Sequence, residues 1–336
     1  MGREHEERGG EARTFGDLGD IAVRRALTHI HPMHNRQYWA PTPEGDGLYE
    51  VLYQYALRRK SGLYAIGRNR VGKSDALEAA VARLRADFPE MAFFIISAER
   101  IERDSKRTFS KFLLKNVKYD MEALKPRADP ALTFARFLMA ECAQRGGTSV
   151  MLLIDEAQLF SVADYRYLLE FWNELKRNGY LLCTALLGQK ELRQLQTLTQ
   201  ELDHTAVVAR FFVKLYMFRG VRTPEILRAL FRCYDTTLRF PAGSEWPYSR
   251  FFARARFDAG WRLEHETDLA WQALLRVSKP YKKPADVSTD GFVMGGIVEA
   301  VHGFLTEAMT LDAKPWKSGV SLWERHIQLG SVEELL

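Results

Sequence analysis

A short apolar run, Leu63–Ile66, leads directly into a loop of the form Gly-x-x-x-x-Gly-Lys-Ser. In this spacing the glycines let the backbone curl so that its N–H groups face an anion. The lysine neutralises phosphate oxygens, and the serine hydroxyl can bind magnesium. The pattern predicts a nucleotide-binding loop between a strand and a helix, with binding residues Gly67, Arg68, Asn69, Arg70, Val71, Gly72, Lys73, Ser74 and Asp75.

The interior of this loop, residues 68–71, contains no glycine. A backbone position with positive φ in that stretch must be taken by Asn69 or by a strained residue, because glycine adopts this conformation most easily and asparagine next. We therefore expect turnover that is weak or depends on a partner.

A second motif completes the predicted site. The apolar run 150–154 ends in Asp155 and Glu156. At the end of a buried strand one carboxylate can hold magnesium, and the next can orient an attacking water molecule. We assign Ser74 and Asp155 to Mg²⁺ and Glu156 to catalysis, so the two motifs together predict binding and hydrolysis of ATP.

Composition excludes several classes of protein. The apolar runs are far shorter than the roughly 18 residues that a membrane span requires, and residues 1–20 lack the charged-then-apolar start of a secretion signal. Cys142, Cys183 and Cys233 have neither metal-ligand spacing nor the even number of a disulfide framework. We expect a cytoplasmic protein that makes no membrane contact.

Apolar runs alternate with helical patterns through the first two thirds of the chain. The runs are 63–67, 91–97, 149–155, 181–187 and 211–217, and the helical patterns lie near 73–87, 132–145, 162–177 and 191–202. This alternation predicts an α/β fold, with a five-stranded parallel sheet flanked by helices and ligands at the carboxyl ends of the strands. Further helical patterns cover 48–59, after a loop at 41–47, and 224–235, 266–278 and 287–310.

The change of pattern after residue 220 predicts a domain boundary. We divide the chain into a disordered tail (1–20), an α/β nucleotide-binding domain with an N-terminal helical extension (21–220), a small helical lid (221–312) and a C-terminal tail (313–336).

The net charge of the chain, +5, is concentrated in one segment. Residues 100–127 contain nine basic and four acidic residues. Basic residues recur there at helical spacing, with apolar residues on another face. Such a stripe can be a solvated surface, a membrane contact or a track along a nucleic-acid backbone, and its position between the second strand and the second motif favours DNA. The predicted DNA-binding residues are Arg103, Lys106, Arg107, Lys111, Lys115 and Lys118.

Over residues 45–305, the chain resembles AAA+ ATPases of the TnsC/TniB/MuB transposition-regulator type. The resemblance rests on the P-loop, on Ile-Asp-Glu-Ala-Gln at 154–158 and on Leu-Gly-Gln-Lys-Glu-Leu at 187–192. It implies that Gln189 senses the γ-phosphate and that an arginine of a neighbouring subunit completes the site, for which we choose Arg210, with Arg193 in reserve. Gly295-Gly296 stands where many such proteins carry a second-sensor arginine.

The resemblance also implies partners. They are further copies of the chain in a ring or helical filament, duplex DNA bound largely without sequence preference, a transposase and a target-selecting adaptor protein. Two alternatives stay open: an ATPase of an envelope complex similar to ExeA, and a nucleotide-gated switch that hydrolyses little ATP.

Overall fold

The computed structural model describes residues 15–101, 105–281, 284–312 and 317–330. Contacts divide the chain into two compact units. The sheet unit comprises Pro41–Ile226 and Ser278–Ile297, and the helical unit comprises the chain up to Ala40, Leu227–Val277 and Val298–Gly330. The predicted domains group residues 21–40 with the sheet and 278–297 with the lid. In the structure, residues 21–40 belong to the helical unit and residues 278–297 belong to the sheet unit. The sequence does not predict this grouping, because contact between distant segments leaves no periodic signal.

The predicted five-stranded parallel sheet is confirmed. Within the described residues the strands are β1 Leu63–Ile66, β2 Ala92–Ser97, β3 Ser149–Asp155, β4 Leu181–Gly188 and β5 Lys214–Met217, in the spatial order β2-β3-β4-β1-β5. All four pairings are parallel. The carboxyl ends of β1, β3 and β4, which carry the predicted motifs, therefore meet at one edge of the sheet.

The helices follow in chain order. They are α1 Ile21–Leu27, α2 Pro43–Leu57, α3 Lys73–Asp87, α4 Lys106–Asn116, α5 Pro130–Gln144, α6 Val162–Arg177, α7 Glu191–Glu201, α8 Thr205–Phe211, α9 Pro224–Thr236, α10 Tyr248–Phe252, α11 Arg254–Asp258, α12 Thr267–Ser278, α13 Pro284–Asp290, α14 Met294–Thr310 and α15 Val320–Leu329. The bounds of α3 and α6 agree with the predicted 73–87 and 162–177.

Alternate residues of β3 belong to two different hydrophobic cores. Leu152 and Ile154 pack with residues of α4 to α8, whereas Met151 and Leu153 pack with residues of α2 and α3. All residues of β3 are buried. Helices thus cover both faces of the sheet, which explains why its central strand is apolar throughout.

Two predicted boundaries were wrong because of helix-forming signals. The predicted fifth strand, 211–217, begins only at Lys214; Val207 and Phe211, one helical turn apart, are buried on one side of α8. The predicted loop 41–47 mostly belongs to α2. Thr42 Oγ accepts a hydrogen bond from the Gly45 N–H (3.1 Å), and Pro43 occupies the first helical turn.

The predicted helix 287–310 is two helices separated by a turn. Gly291 has a φ of 75°, and a Cβ on it would lie 2.6 Å from the Gly220 carbonyl carbon. Phe292 and Val221 exchange two backbone hydrogen bonds of 2.8 Å. The segment between α13 and α14 is therefore tied to the chain that follows β5, within the sheet unit.

The helical unit has its own core. Trp323 of α15 is 1% exposed, its ring stacks on Phe231 and Phe304, and its Nε1 donates to Glu266. Residues 320–329 of the predicted C-terminal tail are therefore helical. Of the predicted disordered tail, residues 1–14 lie outside the described part of the chain.

Candidate functional site

The predicted nucleotide-binding loop connects β1 to α3. A Cβ on Gly67 would lie 2.7 Å from the Phe218 carbonyl oxygen, so only glycine fits there without displacing the backbone. Gly72 has a φ of 92° and Arg70 a φ of 56°. The Asn69 side chain accepts a hydrogen bond from the Arg70 N–H (2.9 Å). The positive φ inside the loop is thus taken by Arg70, and Asn69 supports it.

Lys73 is a buried cation at the start of α3. The residue is 4% exposed, and its Nζ donates to the carbonyls of Gly67 (3.1 Å) and Arg68 (2.6 Å). Burial lowers the pKa of the Lys73 ammonium, and the negative charges of Glu156 and Asp155 partly offset this effect. Among the described residues, no acidic side chain forms an ion pair with Lys73. A buried positive charge of this kind suits an anionic ligand.

Ser74 and Asp155 meet as predicted. Ser74 Oγ donates to Asp155 Oδ2 at 2.5 Å, and the Glu156 N–H donates to Asp155 Oδ1 at 2.9 Å. Burial raises the pKa of the neighbouring Asp75, with a further contribution from Asp155. Magnesium in nucleotide sites takes one or two protein oxygens, with water and phosphate oxygens as its other ligands. The hydroxyl and carboxylate found together here fit that requirement and would hold Mg²⁺ beside a triphosphate.

Glu156 follows β3 in the left-handed region, with a φ of 50°. Its Oε2 accepts a hydrogen bond from Gln189 Nε2 (3.3 Å) and another from Gln158 Nε2. The structure therefore brings together the predicted catalytic Glu156 and the predicted sensor Gln189. We did not assign a function to Gln158 from the sequence, although it lies in the quoted Asp-Glu-Ala-Gln motif.

A cavity of about 820 Å³ opens beside the loop. Its wall includes residues 66–71, Gln189 and Lys190, the end of β5 and the chain after it at 217–220, and Tyr281, Asp286, Asp290 and Val293. Sequence reasoning did not identify the last two groups, because only the tertiary fold brings them to the loop. At the place expected for a second-sensor arginine, the Gly295 N–H donates to the carbonyl of Arg70 (3.1 Å).

Arg210 lies away from this cavity. It occupies the last turn of α8, with its guanidinium 4.6 Å from the centre of the Trp172 ring. Its carbonyl accepts a hydrogen bond from Ser61 Oγ (3.0 Å) just before β1, so it lies near the amino-terminal edge of the sheet. Arg193 is exposed on α7. Neither arginine lines the nucleotide cavity of its own chain as described.

The predicted basic stripe lies largely on α4. Lys106 pairs with Glu170 (2.5 Å), and Arg107 donates to the carbonyls of Ala128 and Pro126. Lys111 and Lys115 are exposed, and no ion pair involves either within the described residues. Lys118 is also exposed but lies beyond the helix with a φ of 58°, and Arg103 lies outside the described residues. Of the predicted stripe residues that the structure describes, Lys106 and Arg107 thus have polar partners on neighbouring segments.

Within the described part of the chain, no helix has both the length and the apolar character needed to span a membrane.

Comparison with known proteins identifies the class of fold. Residues 57–196 match the sequence model of the family described as AAA domain, and no match was found among curated proteins. The Aeropyrum pernix ORC2 protein, solved in ADPNP–ADP complexes, is similar at 14% identity and a TM-score of 0.56, over 91% of this chain and 72% of that chain. Drosophila ORC bound to DNA is similar at 16% identity and a TM-score of 0.49, over 94% and 70%.

At this level of identity the similarity concerns the fold alone. The similarity to the Aeropyrum pernix ORC2 protein agrees with the five-stranded parallel sheet and its flanking helices. The chain therefore has an α/β fold of the AAA+ P-loop class, and its residues 57–196 are similar to the AAA domain family.

Proposed function

We propose that this protein is an ATP-dependent DNA-binding ATPase that assembles on duplex DNA as a ring or filament. In this proposal it links target selection to transposase recruitment. The observation that carries the proposal is the convergence of Lys73, Ser74, Asp155, Glu156 and Gln189 at one edge of the sheet. A buried cation, a hydroxyl–carboxylate pair and a second carboxylate beside an amide are the groups that phosphoryl transfer to water requires.

Each group has a distinct part in hydrolysis. Lys73 binds and neutralises phosphate oxygens, and Ser74 and Asp155 would hold Mg²⁺, which would supply further positive charge to the phosphates. Glu156 orients the attacking water, and Gln189 donates to the γ-phosphate. The left-handed Arg70 supports slow turnover, because a non-glycine residue with positive φ places strain inside the phosphate-binding loop.

The position of Arg210 supports a site completed by a neighbouring copy. A residue that acts in the neighbour's site must lie away from its own nucleotide, and Arg210 lies near the opposite edge of the sheet. The Trp172 ring faces both Arg210 and Lys176, whose Nζ is 5.0 Å from the ring centre. Two cations beside one ring repel each other, and a phosphate from a neighbour would relieve that repulsion.

Lys111 and Lys115 support DNA binding. Both are exposed on consecutive turns of α4, where they can follow a phosphate backbone. Two lysines in one protomer bind weakly, but nucleotide-dependent assembly repeats them along the duplex and multiplies their contribution. Phosphate contacts carry little sequence information, so binding should be salt-sensitive and largely independent of sequence.

The part in transposition rests on the sequence resemblance. Asp-Glu-Ala-Gln at 155–158 and Gly-Gln-Lys-Glu-Leu at 188–192 are the segments that relate this chain to transposition regulators. In that setting, hydrolysis at Glu156 disassembles the protein and limits the time for which DNA is occupied and a transposase can be recruited.

The test is electron microscopy and ATPase assay of wild type and Glu156→Gln with duplex DNA and Mg²⁺. ATP should drive the wild type into rings or filaments on DNA. Glu156→Gln should bind ATP normally, lose at least about 100-fold in kcat, and remain assembled on DNA. Glu78→Gln, at an exposed position of α3, is the control.

Two results would contradict the proposal. A wild type that stays monomeric on DNA with saturating ATP and Mg²⁺ would exclude assembly. A Glu156→Gln variant whose DNA complexes form and disassemble as in the wild type would favour the nucleotide-gated switch over the ATPase.

A further inference from the structure

The side chain of Gln158 connects the ends of two strands at the candidate site. Gln158 lies in a short 3-10 turn, Ala157–Leu159, directly after Glu156. Its Oε1 accepts a hydrogen bond from the Gln189 N–H at 3.1 Å, and its Nε2 donates to Glu156 Oε2. One amide therefore joins the residue after β4 to the carboxylate after β3.

The backbone fixes which way this amide points. A main-chain N–H can only donate, so the Gln158 oxygen must face Gln189. The NH₂ group is then left to face Glu156, where it donates to a carboxylate that can only accept. The orientation thus follows from the chemistry of both partners, which settles the usual ambiguity between amide oxygen and nitrogen.

Gly188 leaves room for this arrangement. A Cβ on Gly188 would lie 2.4 Å from Gln158 Oε1, closer than any ordinary contact. The Gly188 carbonyl also accepts a hydrogen bond from the Gly67 N–H at 3.1 Å. The contacts of Gly188 therefore reach from Gln158 to the start of the phosphate-binding loop. They give a physical reason for the occurrence together of Asp-Glu-Ala-Gln and Gly-Gln in this sequence.

We propose that Gln158 is a positioning residue for ATP hydrolysis. It fixes the Glu156 carboxylate relative to Gln189, so that the group that orients water and the group that contacts the γ-phosphate keep one geometry. This inference rests on the proposed ATPase function. Gln189 Nε2 donates to the same Glu156 oxygen, at 3.3 Å. When that amide turns to the γ-phosphate, Gln158 still holds the carboxylate in place.

Gln158→Glu tests the donated hydrogen bond. The new side chain has nearly the same shape and can still accept from the Gln189 N–H, but it cannot donate to Glu156 when ionised. We expect kcat to fall about 10-fold or more, as for other residues that orient a functional group through a hydrogen bond. The KM and the Kd for ATP should stay within about twofold, because the phosphate contacts are intact. Gln194→Glu, exposed on α7, makes the same change of charge outside the site.

A double-mutant cycle tests the link to Gly188. Gly188→Ala should lower kcat because its Cβ displaces the Gln158 amide. In a Gln158→Met background, which has no amide to displace, Gly188→Ala should change kcat by less than about twofold. Thermal unfolding of each variant identifies any loss of folding. A purely structural role of Gln158 would lower stability without this coupling in kcat.

The outcomes separate the inference from the function on which it rests. Absence of ATP hydrolysis by the wild type would overturn the proposed function and this inference together. Hydrolysis by the wild type, with unchanged kcat in Gln158→Glu or additive effects of Gly188→Ala and Gln158→Met, would overturn only the role of Gln158.

Discussion

The nucleotide site and the basic stripe of α4 were both predicted from residue spacing, yet they differ in how their polar groups are used. At the nucleotide site, Lys73, Ser74, Asp155 and Glu156 contact one another or the loop, and all lie where parallel strands end. On α4, the basic residues share a periodicity but have separate environments. Residue spacing therefore predicts a site well when the sheet topology brings the spaced residues together. On a single helix, residue spacing predicts only that the side chains share a face, because each of them has its own contacts.

The largest expected effect tests whether the nucleotide site is complete in one chain. Arg210→Ala should lower kcat, measured with duplex DNA present, by about 1000-fold if Arg210 acts in a neighbouring site, whereas Arg193→Ala should change it little. Mixing Arg210→Ala with Lys73→Ala protein should restore part of the activity, because the first supplies an intact nucleotide site and the second supplies the arginine.

Inactivity of that mixture, despite assembly of both variants, would contradict the shared site. Arg210→Lys, which keeps a cation near Trp172, and thermal unfolding of each variant control for lost packing. Activity of Arg210→Ala equal to the wild type would transfer the role to Arg193 or to neither arginine.

The second prediction concerns removal of the buried cation from the nucleotide site. Lys73→Ala should weaken ATP binding by about 100-fold or more. The substitution leaves a phosphate of bound ATP without its cation, and loss of one partner of such a buried charge pair costs roughly 3 kcal/mol. Fluorescence titration with a labelled ATP analogue measures the change. Lys60→Ala, at an exposed position, is the control, and equal ATP affinity in Lys73→Ala and wild type would show that the loop does not bind phosphate.

The third prediction sharpens the description of the stripe. Lys111→Glu with Lys115→Glu should weaken duplex DNA binding by about 10- to 100-fold at low salt and reduce the salt slope by about 2. Lys106→Ala should change affinity by only about twofold, because that lysine is already paired with Glu170. Fluorescence anisotropy across a salt series distinguishes these variants. Equal losses at paired and exposed positions would mean that the contacts of α4 do not determine DNA binding.

The smallest effect concerns a buried polar group outside both regions. His31 in the helical unit is fully buried beside Phe240 and Tyr248. Burial lowers its pKa from 6.5 to about 3, with smaller contributions from His302 and His34. Between these values the unfolded chain binds more protons than the folded chain, so stability falls as pH falls below 6.5. The slope is at most about 1.4 kcal/mol per pH unit, and above pH 6.5 the contribution is fully present.

Thermal unfolding at pH 7.5 and 5.5 measures this effect. His31→Leu should lose less Tm between the two values than the wild type does, by about 2–4 °C, whereas the exposed control His29→Leu should behave as the wild type. An equal loss of Tm in His31→Leu and wild type would mean that His31 is not the group responsible.

Much of the sheet unit could be predicted because its signals are local. The bounds of α3 and α6 followed from helical periodicity, and the carboxyl ends of the strands followed to within one residue from the ends of the apolar runs. The start of β5 was wrong because Phe211 and Phe212, read as strand residues, are the last residue and the C-cap of α8. The split between α13 and α14 was missed because it depends on Gly291 meeting Gly220, far away in the sequence.

The sequence by itself determined that the loop predicted to bind phosphate, and the two carboxylates predicted to bind metal and orient water, follow buried parallel strands. Each of these needs only a few neighbouring residues and a simple topology. The tertiary structure alone decided that Arg70 carries the positive φ, that Gln158 joins Glu156 to Gln189 through the space left by Gly188, and that Lys106 and Arg107 have polar partners on neighbouring segments. These features depend on contacts between distant segments, and such contacts are set by packing and by the satisfaction of buried polar groups rather than by periodicity.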